Sequence, residues 1–169
     1  MRILSLFLVV LLGGCTGMPD KVIPVNNFDA ERYLGTWYEV ARLDHSFERG
    51  LEQVSAEYRP REDGGIRVLN RGIDAESGEL KEAEGKAYFV NEPQQGYLKV
   101  SFFGPFYGSY VVFELDDDYQ HAFVSGYNHD YLWLLAREPV VSPQLKARFV
   151  AKAQELGFET DGLIWVAQE

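Results

Sequence analysis

The chain has 169 residues, of which 46% are hydrophobic and 14% aromatic, enough for one packed domain and too short to expect two. Sixteen Lys and Arg against 26 Asp and Glu give a net charge of −10, which disfavours a nucleic-acid partner because phosphate contacts need basic side chains. A single cysteine excludes an internal disulfide and a cysteine-rich zinc site, and three scattered histidines disfavour a histidine-built metal site. We therefore expect no metal and no cofactor.

The first fourteen residues have the pattern of a signal peptide. Arg2 precedes an apolar run over residues 3–12, and the small residues Gly13 and Gly14 follow it. The run is too short to cross roughly 30 Å of hydrocarbon as a helix, but it fits the core of a signal peptide. We therefore predict that residues 1–14 are removed.

The sequence Leu-Gly-Gly-Cys at residues 12–15 resembles the bacterial lipobox, in which the cysteine becomes the first residue and carries a diacylglycerol. This resemblance predicts lipidation at Cys15, which would anchor the protein stably in a membrane. Thr16 follows the cysteine, and by resemblance to Gram-negative lipoproteins it implies the outer membrane, on the periplasmic side. An ordinary secretory signal with a chance cysteine is the alternative. Residues 15–26 are then expected to form a lipidated tether and residues 27–169 a single domain.

Turn-forming residues recur at even intervals after the tether and separate runs rich in Val, Tyr and Phe, which is typical of an antiparallel meander. A short helical turn capped by Asp29 precedes the first run, and a short strand over 162–166 ends the chain. Eight main strands are predicted, at residues 35–44, 52–60, 65–74, 79–90, 96–103, 107–115, 120–125 and 131–137.

One longer helix is predicted between the eighth strand and the short final strand. Ser142 suits its N-cap, Pro143 its first position, an apolar stripe its middle and Gly157 its end. That stripe needs a surface to cover. Eight antiparallel strands that close on themselves can hold one small ligand. The fold class is therefore all-β, an eight-stranded antiparallel up-and-down barrel with a C-terminal α-helix packed outside.

Three short motifs resemble the lipocalin family. Gly-Thr-Trp-Tyr opens the first strand, Asp-Asp-Tyr lies between the sixth and seventh strands, where the family usually has Thr-Asp-Tyr, and an arginine ends the eighth strand. The resemblance covers residues 27–166, and the lipobox narrows it to the bacterial outer-membrane lipocalins. It implies that the arginine packs over the tryptophan, a cation–π contact that closes one end of the barrel, the floor. The residues expected to maintain this floor are Gly35, Trp37, Asp118, Tyr119 and Arg137.

Side chains alternate between the two faces of a strand, so the polarity pattern and the family pattern predict which residues face into the barrel. Small inward residues, Ala41, Ala56 and Ala87, favour a cavity of ligand size, although a barrel filled by its own side chains is the alternative. The predicted ligand-binding residues are Glu39, Ala56, Tyr58, Val68, Asn70, Ala87, Phe89, Leu98, Val100, Phe102, Val112, Phe123, Trp133 and Leu135.

The four loops opposite the floor form the mouth of the barrel, and they carry exposed aromatic residues such as Phe47 and Phe106. Arg42 or Arg49 could pair with a ligand's anionic head group there, or both could be solvated. The aromatic residues could equally mark a homodimer face or a contact with the membrane.

These patterns predict a lipid-anchored lipocalin that binds and stores or transports fatty acids or lysophospholipids, and no enzyme. Asp44, His45 and Ser46 are too close in sequence to converge as a catalytic triad. Three alternatives stay open: an enzyme that acts on lipids through Glu39, a binder of a tetrapyrrole or other pigment, and a structural anchor with a filled barrel.

Overall fold

A closed antiparallel barrel forms the body of the protein in the computed structural model, which describes residues 16–169. Each strand pairs with its neighbours in sequence, and the first pairs with both the second and the eighth. This confirms the predicted eight-stranded up-and-down barrel. The strands are β1 (Gly35–Leu43), β2 (Leu51–Pro60), β3 (Ile66–Asp74), β4 (Leu80–Phe89), β5 (Tyr97–Phe103), β6 (Phe106–Leu115), β7 (His121–Ser125) and β8 (Leu132–Ala136).

The C-terminal end of the chain completes the barrel wall. β1 pairs with β2 only over its first four residues, and its last three pair with a ninth strand, β9 (Leu163–Trp165). Beyond β9, the side chain of Gln168 donates hydrogen bonds to the carbonyl oxygens of Glu39 at 2.6 Å and Val54 at 3.1 Å. The last residues of the chain therefore bridge the gap where β1 and β2 diverge.

Two predicted side-chain orientations are wrong. The register of β1 shifts between Glu39 and Ala41, and such a bulge changes the face of every residue after it. Ala41 therefore lies in the outer core, while Arg42 is buried. Phe123 was expected inside, but its ring packs 5.0 Å from that of Phe149 on the outer helix. β7 is apolar on both faces, so its sequence alternation could not show which face points inward.

Two α-helices flank the barrel, α1 (Ala30–Tyr33) near the floor and α2 (Pro143–Glu155) on the outer wall, and a short 3-10 helix (Thr160–Gly162) precedes β9. The Ser142 hydroxyl accepts the Leu145 amide at 3.2 Å, which is the predicted N-cap. Phe149 and Ala153 are fully buried against the barrel. Gly157 follows the helix with a φ of +91°, in the left-handed region that favours glycine. The predicted outer helix is confirmed.

The segment expected as a tether lies against the barrel. Val22 is only 4% exposed and packs in the outer core together with Met18. The Val25 amide donates to the carbonyl of Val112 at 2.9 Å, so the segment runs along β6. The predicted signal peptide 1–14 and Cys15 lie outside the described residues. Within residues 16–169, no helix is long and apolar enough to cross a membrane.

Candidate functional site

Trp37 forms the floor of the barrel and is completely buried. Its indole ring stacks on Tyr33 with ring centroids 4.7 Å apart, and its Nε1 donates a 2.8 Å hydrogen bond to the Tyr33 carbonyl. The Arg137 guanidinium lies 4.1 Å from the indole centroid on the outer side. Arg137 also donates to the carbonyls of Arg32 at 2.8 Å and Thr36 at 3.0 Å. The arginine therefore caps the apolar interior and binds the backbone around it.

The other floor residues differ in their contribution. Gly35 has a φ of +96°, and a Cβ there would lie 3.3 Å from Arg137, so glycine suits both the turn and the close approach. The Tyr119 hydroxyl accepts the Asp29 amide at 2.9 Å, which ties the start of α1 to the β6–β7 turn. Asp118 is exposed. The neighbouring Asp116, which the motif did not single out, instead accepts two backbone amides of the turn at 2.7 Å each.

Three tyrosine hydroxyls meet above the floor. Tyr110 shares hydrogen bonds with Tyr33 at 2.7 Å and with Tyr58 at 2.9 Å. Burial raises the pKa of each of these hydroxyls above its ordinary value, so all three stay neutral. Only Tyr58 was among the predicted interior residues. Tyr33 and Tyr110 were missed because one lies outside the predicted strands and the other is recognisable only from the contacts it makes across the barrel.

The lower half of the barrel is nearly filled by these rings. Between Tyr33, Tyr58 and the residues around Ala87, the centre of a water molecule could occupy a volume of only about 10 Å³. This space is enough for one water molecule at most. A cavity of ligand size is therefore absent at this level, although Ala87 does face inward as predicted.

The upper half of the barrel is more open. Val100, Phe102 and Trp133 face the interior yet are only partly buried. Gly108 pairs with Val100 and shares its inward face, and a Cβ built on it would meet no atom within 4 Å. An apolar wall next to unfilled space therefore lies between the tyrosines and the mouth.

Most of the predicted interior residues face the lumen, in either its lower or its upper half. Asn70 pairs with Ala56 and so shares its inward face, and Glu39 faces inward beside Leu135. Phe123 is the exception described above. The predicted residues found in the inner apolar cluster are Ala56, Tyr58, Val68, Ala87, Phe89, Leu98, Val100, Phe102, Val112, Trp133 and Leu135. Their orientation agrees with the prediction, while their contact with a ligand stays a prediction.

A buried polar network occupies one side of the mouth. Arg42 is 2% exposed and donates to Glu39 at 2.8 Å and to the backbone carbonyl of Glu48 at 2.9 Å. The Glu48 carboxylate accepts a 3.0 Å hydrogen bond from the Trp133 indole. It also lies 2.8 Å from a ring nitrogen of His45, without the geometry of a hydrogen bond. These contacts hold the β1–β2 loop over part of the opening.

The network decides what the two candidate arginines can do. Arg42 is neither solvated nor free, because Glu39 and the loop carbonyls already engage it. Arg49 is exposed and pairs with Asp44 at 2.9 Å. Glu48 and His45 were missed as interior groups because a loop carries them back over the mouth, which strand alternation does not describe.

Burial and mutual repulsion separate the two glutamates of the network. Burial and the nearby charge of Glu48 raise the pKa of Glu39 well above its ordinary value, despite the opposing effect of Arg42. Burial also acts to raise the pKa of Glu48, but His45 and the Trp133 indole outweigh it, and the pKa is lowered. Glu48 is therefore the more readily ionised carboxylate, and Glu39 is the one that takes up a proton first.

Replacing Glu39 with glutamine should make the protein less sensitive to rising pH. Folding raises the pKa of Glu39, so its stabilising contribution is complete below the ordinary value of 4.5 and is lost as the pH rises through the raised value. Glutamine keeps an oxygen for Arg42 but cannot ionise. Urea unfolding at several pH values should show that the free energy of unfolding of the variant increases relative to that of the wild type as the pH rises. The exposed Glu92→Gln is the control. Plots of unfolding free energy against pH that run parallel for Glu39→Gln and the wild type would contradict the assignment.

The described residues 16–169 contain no group of three or more His, Cys, Asp and Glu side chains placed to hold a metal ion.

A series of aromatic rings continues from the polar network along the mouth. The ring of Trp133 lies 5.3 Å from His45 and 6.2 Å from Tyr131, and Tyr131 lies 5.4 Å from Tyr127. The arrangement offers apolar contact and a few fixed charges, which suits binding rather than bond-making chemistry.

Known proteins resemble the chain over nearly its whole length. The family profile described as "Lipocalin-like domain" matches residues 28–168. The chain is 64% identical to the outer membrane lipoprotein Blc of Vibrio cholerae, over the full length of both. It is 53% identical to the outer membrane lipoprotein Blc of Escherichia coli, over 96% of this chain and 91% of that one. Apolipoprotein D of Macaca fascicularis is 34% identical over 75% of this chain and 67% of its own.

Solved structures show the same fold at lower identity. Insecticyanin from the tobacco hornworm has a TM-score of 0.70 and 20% identity, covering 89% of this chain and 86% of its own. Lobster apocrustacyanin A1 has a TM-score of 0.66 and 20% identity, covering 89% and 93%. At that identity, the likeness supports the barrel fold alone.

Proposed function

The chain belongs to the lipocalin family, and from that membership we propose that it is a lipid-anchored outer-membrane protein that binds one acyl chain, of a fatty acid or a lysophospholipid, in its barrel. Its action is partition rather than catalysis. The chain leaves water or the bilayer for the apolar lumen, and it returns without any bond being made or broken. Storage or transport of such lipids at the membrane follows from this exchange.

The half-open apolar wall of the upper barrel carries the proposal. Val100, Phe102 and Trp133 remain partly exposed inside the barrel, beside the unfilled space at Gly108. Each methylene that leaves water for such a surface contributes about 0.8 kcal/mol. The hydroxyl cluster of Tyr33, Tyr58 and Tyr110 closes the lumen below. The methyl end of the chain would therefore rest above the tyrosines, and the head group would stay near the mouth.

The charges at the mouth favour a zwitterionic head group over a free carboxylate. Two carboxyl groups, Glu39 and Glu48, stand there beside one buried guanidinium, and Arg42 is already engaged by Glu39 and by the backbone carbonyls of the loop. An ammonium group would meet Glu48 and the ring of Trp133, whose face attracts cations. A lysophospholipid with an ammonium head group is therefore the preferred ligand in this proposal.

The relatives support membrane attachment. Two of them are named outer membrane lipoproteins, and the alignment with one of these covers every residue of both chains. Lipidation at Cys15, with anchoring on the periplasmic side of the outer membrane, is the corresponding proposal for this chain. Two or more acyl chains at one residue hold a protein to a bilayer stably.

Quenching by brominated lysophosphatidylethanolamine tests binding inside the barrel. Bromine atoms near the head group should quench the emission of Trp133, which lies at the mouth 3.0 Å from Glu48. The quenching should saturate in the wild type and in Trp165→Phe, and most of it should disappear in Trp133→Phe. Trp165 is a matched control, because it lies on β9 and is 42% exposed. Equal quenching in all three proteins would indicate adsorption to the surface and contradict the proposal.

A further inference from the structure

The tip of the β5–β6 hairpin is an exposed apolar surface. We call residues 103–106 the apolar tip: all four are exposed, none is charged, and Phe103 and Phe106 are 75% and 69% exposed. The two phenylalanines are paired residues on the two strands of the hairpin, so both lie at the same end of it. Paired aromatic rings at a loop tip mark a surface that contacts a membrane or another protein.

The start of the described chain lies towards the same end of the barrel. The Gly17 amide donates a 2.9 Å hydrogen bond to the Ser109 hydroxyl on β6. Ser109 is three residues from Phe106, or about 10 Å along the strand. Cys15 is two residues before Gly17, which allows at most about 7 Å of chain. A lipid attached to Cys15 would therefore enter a bilayer on the same side as the apolar tip.

The opposite orientation does not fit this length of chain. Six residues of β6, or about 20 Å, separate Ser109 from Leu115 at the floor end. An anchor two residues from Gly17 cannot reach past that distance. A barrel whose floor faced the bilayer would therefore keep its lipid anchor away from the membrane.

The cations close to the apolar tip favour the same side, although the opposite part of the mouth is acidic. Lys99 lies on the outer face of β5, with its ammonium group 5.0 Å from the Tyr107 ring, and Lys86 pairs with Ser101 on the neighbouring strand. Two cations thus flank the apolar tip, where they can meet anionic lipid head groups. The acidic β3–β4 hairpin, with Asp74 and Glu76 at its turn, is another of the mouth loops, and anionic lipids would repel it.

We propose that the barrel docks on a phospholipid bilayer mouth first, with Phe103 and Phe106 inserted beside the lipidated Cys15. This inference rests on the proposed function because it takes Cys15 to be lipidated. Its consequence is that the lumen opens directly towards the lipid. An acyl chain can then pass between bilayer and barrel without crossing water.

Spin labels on the full lipidated protein, in vesicles of phosphatidylethanolamine and phosphatidylglycerol, test this orientation. The label is attached to Gly104→Cys in the apolar tip, where a Cβ meets no atom within 4 Å. Glu76→Cys on the acidic hairpin and Asp117→Cys at the floor are exposed controls. Acylated Cys15 does not react with the label. Collision with an aqueous nickel complex reports the depth of each label.

Transfer from detergent to vesicles should lower the collision rate at residue 104 at least about fivefold, because the complex is excluded from the acyl region. The rates at residues 76 and 117 should stay nearly unchanged. A label at residue 104 that stays as accessible as the one at residue 117 overturns the proposal. Spin–spin broadening at residue 104 without vesicles also overturns it and assigns the tip to a second copy of the chain. Flotation of the vesicles shows separately whether the protein is anchored, and quenching by brominated lipid shows whether it binds an acyl chain.

Discussion

Replacing Trp37 with alanine is expected to lower the free energy of unfolding by about 3–5 kcal/mol, the usual cost of removing a large aromatic side chain from a core. The residue is fully buried between the Tyr33 ring and the Arg137 guanidinium. Its removal leaves a cavity at the floor and removes the hydrogen bond to the Tyr33 carbonyl. Urea unfolding followed by circular dichroism measures the loss.

Trp165→Ala is the matched control for this change. Trp165 is 42% exposed on β9, and the Lys146 ammonium lies 5.1 Å from the centre of its ring. We expect this substitution to cost about 1 kcal/mol or less, as is usual for surface positions. Similar losses for the two tryptophans would show that the floor is no more important to stability than the outer edge of the sheet.

Replacing Gly108 with leucine is expected to weaken lysophospholipid binding at least about tenfold, or by about 1.4 kcal/mol. The added side chain would project into the unfilled space beside Val100, where a Cβ meets no atom within 4 Å. It would therefore occupy the volume assigned to the acyl chain while leaving the packed core undisturbed. Quenching by the brominated lipid gives the affinity.

Gly104→Leu serves as the control, because a Cβ at Gly104 also meets no atom within 4 Å but lies outside the lumen. This variant should bind lysophospholipid in detergent-free solution as the wild type does, and both variants should unfold at urea concentrations close to that of the wild type. If Gly108→Leu binds as tightly as Gly104→Leu, the ligand does not occupy the upper barrel.

Local patterns were enough to predict the barrel and its floor. Alternating apolar and polar residues set the strands, a Ser-Pro start and a glycine stop set α2, and the motif around Trp37 predicted its contact with Arg137, which is found at 4.1 Å. Each of these depends on neighbours in sequence or on a recurring family pattern. The strand and helix signals are complete within a few residues, whereas the contact between Trp37 and Arg137 was implied by the family pattern.

The errors arose where the sequence pattern does not determine which way a side chain faces. The bulge after Glu39 turns Ala41 outward and Arg42 inward. The sequence of β1 mixes polar and apolar residues and gives no sign of this bulge. Phe123 packs against α2, and its orientation was not evident because β7 has apolar side chains on both faces. Alternation cannot show which face of a strand points inward when both faces are buried.

The interior of the site depends on contacts between distant parts of the chain. Tyr33, Tyr58 and Tyr110 meet only because α1, β2 and β6 converge above the floor. Glu48 reaches Trp133 across 85 positions of sequence. The packing of residues 16–26 on the outer wall is similar, since their composition alone suggested a tether. None of these contacts has a signature in the local sequence.

Native mass spectrometry with graded lysophosphatidylethanolamine and palmitate tests the central claim most directly, because one spectrum reports both bound mass and subunit number. Residues 16–169 include every strand of the barrel and suit the measurement. The proposed function predicts a saturable adduct of one lipid per chain, stronger with lysophosphatidylethanolamine and weakened in Gly108→Leu. A dimer in the same spectrum would support the homodimer that the exposed aromatic residues suggest. No adduct with either lipid, or adducts that accumulate without saturation and are unchanged in Gly108→Leu, would contradict acyl-chain binding in the barrel.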